Sequence, residues 1–177
     1  MAAVVREAHP DDFVAVTSLL EELGRPKALG TPDEETVRGL FDQWLAASDR
    51  FIFVAEEEGG VVGMIDMALI LRPNFVQPHA WVPDLIVSER ARSRGVGAAL
   101  LSKAEDVARS LGAFSLALES AHWRTRAHAF YLREGMADAA SHFIKVFADV
   151  PWPPPAAAAG ISDPSSPPAS SGPGSPS

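Results

Sequence analysis

Asp84-Leu85-Ile86-Val87-Ser88-Glu89-Arg90-Ala91-Arg92-Ser93-Arg94-Gly95-Val96-Gly97 is the stretch that decides the fold. An apolar strand runs into a basic, glycine-bearing loop, and the loop opens a helix at about Val96. The first turn of a helix carries unpaired backbone N–H groups and a partial positive charge, so such a junction binds anions. Glycine lets a phosphate approach the backbone closely. Arg92 and Arg94 add charge. The expectation is a phosphate-bearing ligand held by Arg92, Ser93, Arg94, Gly95, Val96, Gly97 and Ala98. A tight strand-to-helix turn with solvated arginines would show the same glycines, so motif spacing has to decide. A Walker loop requires a lysine after its last glycine, and Gly97 is followed by Ala98. A dinucleotide fingerprint requires a third glycine where Leu100 stands.

Working outward, helical and extended patterns alternate. Val4 to Arg6 reads as a short strand, and Asp11 to Leu23 as a helix with Phe13, Val16, Leu19, Leu20 and Leu23 on one face and Gly24 as its stop. Thr31-Pro32-Asp33-Glu34 is a helix start with Thr31 as cap and Glu34 closing a capping box. That helix runs to about Ala47. Phe51 to Ala55 and Val61 to Leu71 are apolar runs, the second broken only by Asp66, joined by the turn Glu58-Gly59-Gly60. Strands apolar on both faces belong in a sheet covered on both sides. Trp81 to Val87 is a fourth strand, Val96 to Leu111 a helix, Phe114 to Glu119 a fifth strand, Thr125 to Glu134 a helix and His142 to Phe147 a last strand. The fold class is therefore α/β (α+β): one domain with a mixed, mostly antiparallel sheet and helices on both faces.

Arg92-x-x-Gly95-x-Gly97 after Leu85-x-Val87, together with Arg124-x-x-Ala127-His128-Ala129-Phe130-Tyr131-Leu132-Arg133-Glu134-Gly135-Met136, resembles the GNAT acetyltransferase superfamily. The first block is similar to that superfamily's coenzyme-A loop and the second to its Ala-x-x-Phe-Tyr-x-x-x-Gly-Phe block, and the order of elements matches. The resemblance spans roughly residues 3–148. Within the superfamily the second block is similar to small-molecule enzymes of the aminoalkylphosphonate and phosphinothricin type. Met136 stands where an aromatic is usual, and Arg124 where many relatives carry an asparagine near the cofactor.

The resemblance implies transfer of an acetyl group from acetyl-CoA to a primary amine of a small molecule, by direct attack in a ternary complex. An amine near pKa ~10.4 must lose a proton at about 1.36 kcal/mol per pH unit, roughly 4–5 kcal/mol at neutrality. A base can share that cost, and an acid can protonate the leaving thiolate. The resemblance assigns the acid to Tyr131, the chain's one tyrosine, which could otherwise be a core aromatic beside Phe130. Glu119, ending the fifth strand, and Asp84, on the fourth, are the candidate bases. It also implies that the fourth strand splays from the fifth, leaving backbone N–H groups of Leu85, Ile86 and Val87 to meet the pantetheine arm and polarise the thioester carbonyl. Arg124 is expected near the cofactor. The acceptor is expected between residues 24–30 and 72–81, with Trp81, His79 and Asp66 as liners.

The remaining features set bounds. The chain has no cysteine, so it has neither disulfides nor a thiol nucleophile. Its five histidines lack metal-ligand spacing, and no metal is expected. A net charge of −8 argues against a nucleic-acid partner. The N-terminus lacks a signal-like apolar region and no apolar stretch is long enough to span a membrane, which points to a cytoplasmic protein, a monomer or homodimer. Residues 1–149 form the expected acetyltransferase domain. Residues 150–177, mostly Pro, Ala, Ser and Gly, form a disordered tail, because they offer too little apolar surface to offset ordering entropy. A protein or peptide N-acetyltransferase and a non-catalytic acyl-CoA-binding module are the alternatives.

Overall fold

The two apolar runs form the centre of the sheet as a hairpin of β2 (Arg50–Glu57) and β3 (Gly60–Ile70). The computed structural model describes residues 3–140; the strand expected over His142 to Phe147 and the tail at 150–177 lie outside the described residues. β1 (Val4–Glu7) pairs antiparallel with β2. On the other side β3 pairs antiparallel with β4 (His79–Val82) and, further along, with β5 (Leu85–Val87). β4 in turn pairs parallel with β6 (Ser115–Leu118).

Both faces are covered, as the apolar runs require. Ile52, Val54, Met64 and Ile86 point to one face and pack on Phe13, Val16 and Leu19 of α1 (Phe13–Leu23) and Phe41 of α2 (Glu34–Ala46). Their neighbours Phe53, Ala55, Ile65, Met67 and Val82 point to the other and meet Val96, Leu100, Leu101 and Ala104 of α3 (Val96–Ser110). The period of two along β2 and β3 thus builds two cores from one hairpin. α4 (Thr125–Arg133) lies on the α3 side, where Phe130 joins that core.

Two elements differ from the sequence reading. The second helix begins at Glu34, and the box closes one residue early: Glu34 accepts from the Gly30 N–H (2.7 Å), while Thr31 Oγ1 accepts from the Asp33 N–H (3.2 Å). The fourth strand is not continuous over Trp81 to Val87. Ala68 pairs with Trp81 and Ile65 with Leu85, so Asp66 and Met67 of β3 face Val82, Pro83 and Asp84. One extra residue makes a β-bulge, which bends the strand and interrupts its pairing. Pro83 suits that place because it has no N–H to give to a ladder.

The bulge is where the sheet opens. Before it, β4 pairs with β6 from His79–Ser115 to Val82–Leu118. After it, β5 pairs among the described residues with β3 alone. The expected splay between the fourth and fifth strands is therefore present and begins at Pro83.

Candidate active site

Four segments converge on the opening: the bulge, the loop into α3, the end of α1 and the start of α4. Asp66 and Asp84 face each other across the bulge. The Asp84 N–H donates to Asp66 Oδ1 (2.7 Å), and the Asp66 N–H donates to the Asp84 carbonyl (3.1 Å). Burial and the nearby Asp84 charge push the Asp66 carboxyl up to about 8, although the residue as a whole is only half-buried.

Asp84 is secured from the other side. Arg25, just past α1, donates from Nε to Asp84 Oδ1 at 2.8 Å, and its Nη2 engages the same oxygen. Gly24 makes this reach possible: it ends α1 in the left-handed region (φ 100°), a conformation that suits glycine, and turns the chain back over the sheet. Glu21 then pins the following loop by accepting from the Ala28 and Leu29 N–H groups at 3.0 and 3.2 Å.

The loop into α3 is tied down by the arginines expected to meet phosphate. Arg92 donates to the Val87 carbonyl (3.2 Å) and pairs with Glu89 (2.9 Å) and Glu22 (3.4 Å). Arg94 pairs with Glu57 at 2.7 Å. Much of their charge is answered within the protein. What remains for an anion is the start of α3, which Gly95 enters at φ 82°, with Ser93 also at positive φ (62°). A Cβ at Gly97 would stand 3.4 Å from the Phe130 ring and 3.6 Å from Val87 Cγ2, so strand, loop and α4 meet at this glycine.

Tyr131 follows Phe130 on α4, and the two divide the labour that the sequence left ambiguous. Phe130 packs into the core, while Tyr131 is half-buried with its hydroxyl unbonded among the described residues. The rings meet edge to face at 5.3 Å. Burial pushes the phenol up, Asp84 adds to the rise and Arg124 opposes it. Arg124, at the N-terminal end of α4, donates from Nη2 to the Leu23 carbonyl at the end of α1 (2.8 Å) and stacks over Trp123. Tyr131, Arg124, Asp84 and Arg25 thus lie within electrostatic reach of one another.

The other expected residues are placed less centrally. Glu119 is exposed just beyond β6. His79 bonds Ser115 Oγ at 2.8 Å and packs on Phe114, at the end of β4 away from the bulge. Trp81 shares its register with Ala68 and Ala117, nearer the opening. Ser120 was not singled out by sequence, and a lone serine after a strand gives no signal. Its hydroxyl is buried with no hydrogen-bond partner among the described residues, at the strand end where the sheet opens. The unpaired side of β5, the start of α3 and the Ser120 hydroxyl are groups that a pantetheine arm and its phosphates can satisfy. Among the described residues no cluster of three metal-ligating side chains occurs, and no helix is long and apolar enough to cross a membrane.

Comparison with known proteins agrees with this architecture. The model of the acetyltransferase (GNAT) family matches residues 16–136. The chain is 31% identical to an aminoalkylphosphonate N-acetyltransferase of Salmonella typhimurium, over 78% of this chain and 86% of the relative. It is 33% identical to an IAA acetyltransferase of Azospirillum brasilense, over 76% of this chain and 84% of that protein. The solved structure of glucosamine-6-phosphate N-acetyltransferase from Arabidopsis thaliana superposes with a TM-score of 0.70 at 20% identity, covering 84% of this chain and all (100%) of the other.

Proposed function

The chain belongs to the acetyltransferase (GNAT) family and is an acetyl-CoA-dependent N-acetyltransferase, and from that premise we propose that it acetylates a primary amine of a small molecule by direct attack in a ternary complex. The relative that acts on aminoalkylphosphonates supports a small acceptor. In this reading the phosphates lie at the start of α3, and the backbone of Leu85, Ile86 and Val87, open on one side, holds the pantetheine arm and polarises the thioester carbonyl.

The amine nitrogen forms a bond to the acetyl carbon, the carbon–sulfur bond breaks, and the sulfur takes the Tyr131 proton. The proton lost by the amine passes to a base, directly or through water. Three carboxylates compete for that role. Asp84 is engaged by Arg25, and Glu119 lies on the surface beyond the strand. Asp66, raised to about 8, exchanges a proton in the range where the amine must lose one, so we assign the base to it.

The single observation that carries the proposal is the placement of the Tyr131 hydroxyl, unbonded among the described residues and within the field of Asp84 and Arg124 at the sheet opening. It is a neutral donor with a proton to give. Tyr131→Phe keeps the ring and removes only that donor. Turnover with a saturating amine should fall by about 10²–10⁴-fold while the acetyl-CoA dissociation constant barely moves. Full activity in the variant would remove Tyr131 from the mechanism.

A further inference from the structure

Arg124 is a cation without a carboxylate partner among the described residues. Its one side-chain hydrogen bond among the described residues runs to the Leu23 carbonyl, and its guanidinium lies over Trp123. It is half-buried, and burial is the main cause of its lowered proton affinity, followed by the charge of Arg25. The bond to the Leu23 carbonyl sets Arg124 at the end of α1, close in sequence to the Arg25 that holds Asp84. Asp84 answers Arg25, whereas no carboxylate among the described residues pairs with Arg124. A half-buried guanidinium left unanswered calls for an anion.

We propose that Arg124 is a specificity-determining residue that binds an acidic group, a carboxylate or phosphonate, on the acceptor amine. This rests on the acetyltransferase reading above. The guanidinium fork suits either oxyanion, since both present two oxygens in the geometry of its paired N–H groups. Arg124 bridges α1 and α4 through Leu23, so docking would also bear on how the two helices enclose the site.

The test compares matched acceptors: β-alanine against β-alaninamide, and aminomethylphosphonate against methylamine, each with saturating acetyl-CoA. The wild-type enzyme should prefer the acidic member of each pair by about ten- to hundredfold in kcat/KM, the size of one charged hydrogen-bonded contact. In Arg124→Gln that preference should collapse, chiefly through KM, and Arg124→Lys should retain part of it. Acetylation of the neutral amines with no gain from the acid group would overturn this inference alone. No turnover with any amine would overturn the acetyltransferase reading beneath it. A loss of acetyl-CoA affinity in Arg124→Gln matching its loss of rate would make Arg124 a cofactor contact and overturn the inference too. The wild-type comparison needs no variant, so it stands even if Arg124→Gln does not fold.

Discussion

Asp66 shows what a single residue's chemistry owes to the fold. In the sequence it is the one charge inside an apolar run and reads as a pocket liner at most. Its raised carboxyl comes from burial and from Asp84, which strand pairing brings alongside from 18 positions away. Arg25 reaches Asp84 from 59 positions away. No local pattern encodes such encounters, so a motif could propose Tyr131, whereas the proposals for Asp66 and Ser120 had to wait for the fold. If Asp66 is the base, it works only once deprotonated, and the rate should climb as pH rises through about 8. In Asp66→Asn, which keeps the oxygen that accepts from Asp84, that limb should vanish or move up toward the amine's own pKa. An unchanged profile would exclude Asp66. Stability gives an independent check with a defined sign. The folded protein binds this proton more tightly than an unfolded chain with a value of 3.8, so the contribution is complete below that value and is lost as pH rises through about 8. The asparagine variant should lose that slope in denaturant titrations across the same window.

At the scale of elements the order of strands and helices was readable because apolar periodicity reports the face each residue must bury. Ile52 and Phe53 are neighbours that serve opposite cores, and the run of apolar residues there said as much. The bulge was not readable. It follows from three residues facing two, a comparison between partner strands that neither strand contains alone. The shifted helix start at Glu34 has a similar origin, since Gly30 offers its N–H only because the loop turns there. Gly63 is where β3 lets β5 and α3 approach closely. A Cβ there would lie 3.0 Å from the Ile86 carbonyl and 3.1 Å from Leu100, with backbone on one side and α3 on the other. Gly63→Ala should therefore push β5 and α3 apart and cost about 1–3 kcal/mol of stability, as overpacking does. Because β5 presents its free edge to the opening, KM for acetyl-CoA should rise in the same variant. Wild-type melting and kinetics in Gly63→Ala would show that β5 is not held this tightly.

For the whole molecule, the two blocks around Gly95 and Tyr131 are 36 residues apart in sequence, yet Phe130 contacts the start of α3 and seats Tyr131 beside the bulge. In the proposed reading, that meeting makes one site of a phosphate-binding helix start, an open strand edge and a proton donor. An acyl-CoA-binding module would need the first two and have no use for the third. The direct measurement is therefore turnover itself: acetyl-CoA, a small primary amine and the full chain, with free thiol and acetylated amine followed together. The account requires thiol and product to appear one for one, at a rate that depends on the amine. Tight binding of acetyl-CoA with no amine-dependent thiol release, across carboxylate-bearing, phosphonate-bearing and neutral amines alike, would contradict it.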